Sequence, residues 1–215
     1  MAAHISHLEP WRSSFSRPVE QVAADLEYYA ELLAKWQKVQ NLVSRETLRD
    51  LWQRHFVDSL QVLGHLNDND EYFVDLGSGG GFPALPLAIA LKNSDRRFLL
   101  VEPNGRKASF LRTVARDLGL NVTVESRRIE QLDSRETGLP HVITSRALAS
   151  LTQLCAWMQP FFGPTTRAIL HKGREHVEEL TDANALWNFD VIISPSSTDS
   201  AGVLLTLTEL RGKTL

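Results

Sequence analysis

The sequence predicts a doubly wound α/β domain with a mostly parallel sheet, and three observations carry this. From Tyr72 onwards, short apolar runs alternate with helix-like segments, the pattern of strands joined by crossover helices. The first run, Tyr72-Phe73-Val74-Asp75-Leu76, ends on an acid and leucine and then breaks into Gly77-Ser78-Gly79-Gly80-Gly81. The chain closes on two apolar runs joined by a Ser/Thr-rich turn with no helix between them, which implies an antiparallel end to the sheet.

Taken in order, residues 1–18 carry Pro10 and Pro18 and read as a loosely held arm. Val22, Leu26, Tyr29, Leu33 and Trp36 step by four, three, four and three, so one face of a helix starting at Val19 is apolar. A second helix is expected from about Thr47 to Leu63, with Leu48, Leu51, Trp52, Phe56, Ser59 and Leu63 on its inner face; Asn67-Asp68-Asn69-Asp70 then turns the chain. These two helices form an extension over residues 19–70 ahead of an α/β domain over 71–215. In that domain the strands are Tyr72–Leu76, Arg97–Glu102, Val122–Ser126, His141–Ser145 and Arg167–His171, followed by the pair Phe189–Ser194 and Gly202–Leu210. Helices are expected over Ala84–Leu91, over about Gly105–Leu118 stopped by Gly119, over about Ser150–Phe162 stopped by Gly163-Pro164, and over Glu175–Leu186. Seven strands result, the last two antiparallel.

Composition narrows the function classes. With 215 residues, 43% hydrophobic and 23% charged, the chain is ordinary for one globular domain with a small extension. No apolar run approaches the ~20 residues that span a bilayer. The N-terminus lacks a basic region followed by an apolar one, so no signal peptide is expected. The single Cys155 excludes an internal disulfide framework. The expectation is a cytoplasmic protein. A net charge of −3 argues against coating nucleic acid by bulk charge, and leaves room for a local basic face.

The glycine run is where an adenosine-containing cofactor is held: glycines let the backbone approach the ligand, and an acid closing the second strand, Glu102, takes the ribose hydroxyls. Two cofactors compete. Gly79-Gly80-Gly81-Phe82-Pro83-Ala84 fits the alanine form of a dinucleotide fingerprint. Asp75-Leu76-Gly77-Ser78-Gly79-Gly80-Gly81 fits D-x-G-x-G-x-G, the loop of S-adenosylmethionine-dependent methyltransferases. The second is favoured. Asp75 suits the cationic end of a methionine moiety and would repel a pyrophosphate. Pro83 and Pro86 reduce the N–H donors open to a phosphate. Asp75, Gly77, Gly79 and Glu102 are therefore the candidate cofactor residues.

The chain also resembles a family, the ribosomal RNA small-subunit methyltransferase G family, also called glucose-inhibited division protein B. The resemblance rests on Trp36-Gln37-Lys38-Val39-Gln40-Asn41-Leu42-Val43-Ser44, Arg54-His55-Phe56-Val57-Asp58-Ser59-Leu60, the glycine run, Arg106-Lys107-Ala108-Ser109-Phe110-Leu111, Ser145-Arg146-Ala147-Leu148-Ala149-Ser150-Leu151 and His171-Lys172-Gly173. It implies a Rossmann-like class I methyltransferase that moves a methyl group from S-adenosyl-L-methionine to N7 of a guanine in 16S rRNA. The partner it implies is the small ribosomal subunit or its assembly intermediate; separately, the chain is expected to be a monomer. Carried over by position, the cofactor contacts are Gly77, Phe82, Ile129, Glu130 and Arg146. The segment Glu125-Ser126-Arg127-Arg128-Ile129-Glu130 is one residue longer than the family pattern, and Pro103-Asn104 is uncommon wording for it. Alternatives are a transferase of the same cofactor acting on another substrate, and a nucleotide-binding regulatory module without catalysis.

Guanine N7 carries a lone pair and no proton, so its methylation needs alignment rather than a general base. Accordingly there is no D/N/S-P-P-Y/F/W run. Cys155 follows Leu154 rather than proline and reads as core. Arg146 ends the fourth strand at the ligand edge of the sheet, where it could hold the guanine, a phosphate or the cofactor, or simply pair with Glu102 or Glu130. Lys172 ends the fifth strand on the same edge, a phosphate contact or a solvated lysine. His55 and Asp58 share a helix face as packing residues or as a wall of the site that orders Arg54. Arg106, Lys107, Arg112 and Arg116, with Arg127 and Arg128 nearby, read as an electrostatic path for RNA or as a solvated face. The seven histidines show no metal spacing.

Overall fold

The computed structural model describes residues 2–44 and 50–213. Helix α1 (Ala2–Leu8) runs into a 3-10 turn (Glu9–Ser14), and α2 (Val19–Gln37) follows. The expected loose arm is docked. Leu8 is fully buried, Ile5, Trp11 and Phe15 pack on the core, and Arg17 donates to Ile89 O while pairing with Asp25 at 2.7 Å. Apolar side chains at Ile5, Leu8, Trp11 and Phe15 are what the proline count concealed.

In the second expected helix, Thr47, Leu48 and Arg49 lie outside the described residues. The rest is one helical run whose winding changes along its length: π-helical over Trp52–Val57, α-helical over α3 (Asp58–Leu60), then 3-10 over Gln61–His65. Phe56, Ser59 and Leu63 are buried on its inner face as expected. π-turns of this kind cluster at functional positions.

The α/β part runs β1 (Tyr72–Leu76), α4 (Ala84–Ala90), β2 (Arg97–Val101), α5 (Gly105–Asp117), β3 (Val122–Glu125), α6 (Ser134–Thr137), β4 (Val142–Arg146), α7 (Leu151–Met158), β5 (Arg167–Lys172), α8 (His176–Leu186), β6 (Trp187–Pro195) and β7 (Val203–Gly212). The short α6 has no counterpart in the expected elements; Asp133 caps it through Arg135 N. The seven strands lie in the order β3-β2-β1-β4-β5-β7-β6, with β1 to β5 mutually parallel and β7 antiparallel to both neighbours. Every residue of β1 is buried, as a central parallel strand covered on both faces requires. Phe73 points into the core beneath α2, α4 and α5, whereas Tyr72, Val74 and Leu76 point into the core beneath α7.

The order reverses between β1 and β4, where chains leave the sheet in opposite directions and open a crevice at the C-terminal strand ends. The residues after β1, β2, β4 and β5 converge there.

Candidate functional site

The glycine loop after β1 is stitched to β2. Gly77 N and Ser78 N both donate to Val101 O, at 2.9 and 3.0 Å. Gly77 and Gly79 have φ of 70° and 55°, left-handed values that cost most side chains free energy. A Cβ at Gly77 would meet Leu148 Cδ1 at 2.5 Å. The helical extension holds the loop from behind: the Tyr29 hydroxyl on α2 donates to Gly80 O. Gln37 closes the turn after α2, with Nε2 donating to Val43 O at 2.8 Å and Oε1 accepting from Leu42 N at 2.9 Å. A cavity of about 520 Å³ results, lined by Leu42, Val43 and Ser44, by the loop from Gly77 to Phe82, and by Glu102, Lys107, His55, Arg146 and Leu148.

Glu102 is 6% exposed; its carboxylate accepts from Gly79 N at 2.8 Å and from Asn104 N at 2.9 Å. Asn104 in turn caps α5 through Arg106 N and Lys107 N. The uncommon Pro103-Asn104 wording is thus an ordinary helix N-cap.

Asp75 departs from expectation. It does not line the cavity; it stands behind the loop, 2% exposed, accepting from Thr144 Oγ1 at 2.7 Å, while its Oδ2 is buried without a partner. Burial pushes its carboxyl up to about 7 against the hydrogen bonds that lower it. Alternation along β1 turns this side chain into the sheet's packing layer, so it supports the loop from beneath.

Arg146 closes the opposite side. It is bound by one helical turn: Nη1 donates to Arg54 O at 3.0 Å and to Asp58 Oδ2 at 2.8 Å, and Nη2 meets His55 Nδ1. Its guanidinium also lies 5.3 Å from the Phe82 ring centroid. Neither Glu102 nor Glu130 is its partner, and Arg54 pairs instead with Asp199 at 3.5 Å. Ala147, next in the chain, has φ of 52°, a left-handed turn that swings the backbone away from the strand end. Burial and then the Arg146 charge push the His55 imidazole down to about 3, so it is neutral. Burial likewise lowers His171, whose Nε2 lies 3.0 Å from Asp58 O. With His55 Nδ1 taking the arginine proton donor, the ring's own proton belongs on Nε2.

A second cavity, about 300 Å³, adjoins the first across Arg146, His55 and Ala147 and reaches the ends of β4 and β5 and the β6–β7 turn. Lys172 lines it but is committed: Nζ is bound to Glu179 at 2.6 Å and Ala149 O at 2.8 Å, with 6% of the side chain exposed. It fastens α8 to the β4–α7 loop, because the same Glu179 carboxylate accepts from Leu151 N. Lys172 is therefore not the solvated lysine of the alternative reading; its Nζ is held by protein partners at the cavity wall.

Ile129 and Glu130 fall on a 3-10 turn after β3 and line neither cavity. Ile129 is packed in the core beneath α7, and Glu130 accepts from Trp157 Nε1 at 3.0 Å. Three of the six residues of the basic stripe are engaged by protein partners. Arg112 donates to Val124 O and Ser126 Oγ, Arg116 pairs with Asp117, and Arg127 pairs with Glu125 and Glu136. Lys107 stays on the cleft wall. Cys155 is fully buried with its thiol pushed up to about 12 by burial, which removes it as a nucleophile. Among the described residues no group of His, Cys, Asp and Glu could hold a metal ion, and no helix is long and apolar enough to cross a membrane.

The backbone approach at Gly77 and Gly79, the carboxylate at the β2 end and the cavity size fit an adenosine joined to a methionine. Reasoning from sequence missed Tyr29, Leu148, Gln61 and Thr198, each of which reaches the site across more than fifty residues of chain or through the β6–β7 turn.

Comparison with known proteins agrees with this geometry. The profile of the family described as rRNA small subunit methyltransferase G matches residues 22–202. A protein of Cereibacter sphaeroides named "Ribosomal RNA small subunit methyltransferase G" is 40% identical over 192 residues, covering 88% of this chain and 92% of its own. A Bartonella henselae protein of the same name is 40% identical over 200 residues, covering 93% and 91%. Among solved structures, the fibrillarin/Nop5p complex aligns with TM-score 0.55 at 11% identity over 73% of this chain and 81% of the other. The glycopeptide N-methyltransferase MtfA, complexed with S-adenosyl-L-methionine, aligns with TM-score 0.53 at 11% identity over 72% and 93%. What these two structures share with this chain is the fold.

Proposed function

The chain belongs to the rRNA small subunit methyltransferase G family, and from that premise we propose that it transfers a methyl group from S-adenosyl-L-methionine to N7 of a guanine in 16S rRNA. The observation that carries this reading is the glycine cleft, with Glu102 at its β2 end and Arg146 facing it, inside a chain that matches the family over residues 22–202. When bound, the cofactor supplies an electrophilic methyl group on a sulfonium sulfur.

The residues of this chain divide the remaining work. Gly77 and Gly79 give the cofactor close access to backbone, Glu102 takes hydroxyls, and Phe82 and Leu148 close the cleft with apolar surface. The smaller cavity beyond Arg146 receives the target base. No side chain has to take a proton from N7, which carries a lone pair and no proton; His55, pushed down to about 3 by burial and the Arg146 charge, is a weak base, and Asp58 is bound to Arg146. Rate enhancement then comes from holding the reacting atoms in line. Arg146 is the cation at the junction of the two cavities, able to orient the base or its phosphate. Residues 19–70 act as a helical extension that builds one wall of the cleft, so they belong to the functional unit formed with 71–215. The substrate is the small ribosomal subunit or its assembly intermediate, met by a monomer in the cytoplasm.

The test is methyl transfer from labelled S-adenosylmethionine to small ribosomal subunits from a strain lacking this modification, with the labelled nucleoside identified. Label in 7-methylguanosine at one site is the expected result. Cofactor binding without incorporation into subunits or free rRNA would overturn the substrate.

A further inference from the structure

Arg146 has a long side chain whose confinement costs rotamer entropy. A guanidinium that must face a reacting base needs that cost met by fixed acceptors. The Arg54-His55-x-x-Asp58 segment supplies three in one turn of helix, two backbone or carboxylate oxygens and one imidazole nitrogen. Residues 54, 55 and 58 fall on one side of the helix because positions three and four apart share a face.

Asp58 is the hub. Its Oδ2 takes Arg146, and its Oδ1 accepts from Thr198 Oγ1 at 2.6 Å and from Gln61 Nε2 at 3.0 Å. Both carboxylate oxygens are thus engaged by protein donors. Gln61 extends the link: Nε2 also reaches Ser196 Oγ and Thr198 Oγ1, each at 3.2 Å, and Oε1 accepts from Ser197 N at 2.6 Å. The β6–β7 turn is thereby strapped onto the helix that holds the arginine. From β5, His171 braces the same helix by donating to Asp58 O. Asp58 and Arg146 side chains are 15% and 18% exposed, so water competes little for these bonds.

We propose that Asp58 is the positioning residue for Arg146, and that the Ser196–Thr198 turn is part of the same device through Thr198 and Gln61. The inference rests on the function proposed above. It explains why a carboxylate stands at the site of a reaction that needs no base: its role is to aim a cation.

The test is a double-mutant cycle on methyl transfer to unmodified small subunits, with cofactor affinity measured by calorimetry. Asp58→Asn should lower kcat by about tenfold or more, the scale of a small misplacement of a reacting group, with cofactor Kd within about twofold. In an Arg146→Ala background the same change should cost less than about twofold, because residues that act through one another are non-additive. Thr198→Val keeps the carboxylate and removes one donor to it; a kcat loss of about threefold is expected, and this variant carries the test if Asp58→Asn does not fold. A kcat within about twofold of wild type for both single variants, or losses that multiply in the double variant, would overturn the positioning role. Absence of transfer by the wild-type protein would instead overturn the function on which it rests.

Discussion

The glycine side of the cleft is built around one continuous stretch, Gly77 to Phe82, with Glu102 one crossover later and Leu42 to Ser44 and Leu148 as flanking walls. The arginine side takes Arg54 to Asp58, Arg146, His171 and Thr198 from four separate segments. The first is backbone machinery: positive φ at Gly77 and Gly79, two N–H bonds to Val101, and a carboxylate on Gly79 N. The second is side-chain machinery, a buried polar network around one cation. The contrast teaches that holding a generic cofactor can be encoded locally, whereas aiming at a particular base here depends on tertiary contacts.

Breaking the arginine side should have the largest effect. Arg146→Ala is expected to lower methyl transfer by about a hundredfold or more, in the range for loss of one preorganised charged donor. It also leaves Asp58 buried without its cation, so the thermal midpoint should fall, and a differential scan checks this. Near-normal turnover would remove Arg146 from the reaction. Breaking the glycine side should act on affinity instead. Gly77→Ala places a Cβ against Leu148 in a left-handed conformation, and cofactor Kd measured by calorimetry should rise about tenfold, from a strain of about 1–2 kcal/mol.

Two smaller effects sharpen the comparison. Cys155→Ser puts a hydroxyl into the core beneath α7 and should cost about 1–3 kcal/mol in chemical denaturation with kcat unchanged; abolished transfer in a folded variant would restore a covalent mechanism. His55 belongs to the arginine side and is held neutral, with its folded value down near 3 and its ordinary value 6.5. A depressed folded value means that its contribution is complete above about pH 6.5 and is lost as pH falls towards 3. The stability difference between wild type and His55→Gln should therefore shrink on acidification through that window. A difference independent of pH would show that the imidazole is not buried in the neutral form.

Much of the fold was legible because the hydrophobic period changes from helix to strand at Tyr72 and turn residues mark the ends. The parallel core followed from the alternation, and the antiparallel close from the missing last helix. Docking of residues 1–18 was not legible, since Ile5, Leu8, Trp11 and Phe15 are interleaved with prolines and polar residues that read as a loop. Within the site, Gly77, Glu102 and Arg146 line the cleft where local pattern suggested, and Phe82 where the resemblance did. Asp75 stands behind the loop, Lys172 is tied to Glu179, and Ile129 and Glu130, given by the resemblance, lie outside both cavities. Which way a strand side chain faces, and which partner claims a lysine, is decided by tertiary contacts such as those with Thr144 and Glu179. Conversely, the spacing of His55 and Asp58 left packing and a wall of the site beside Arg54 as alternatives, and the structure places all three residues around Arg146 on that wall. Their target is 88 to 92 residues distant, and nothing in their own spacing names it.

The division between the two sides is tested most directly by single-turnover methyl transfer at saturating cofactor, with unmodified small subunits and the wild-type, Gly77→Ala and Arg146→Ala proteins compared side by side. The account expects Gly77→Ala to recover to within a few-fold of wild type, because its defect is one of affinity, while Arg146→Ala stays about a hundredfold slow. Recovery of Arg146→Ala, or an equal and persistent deficit in both variants, would contradict it.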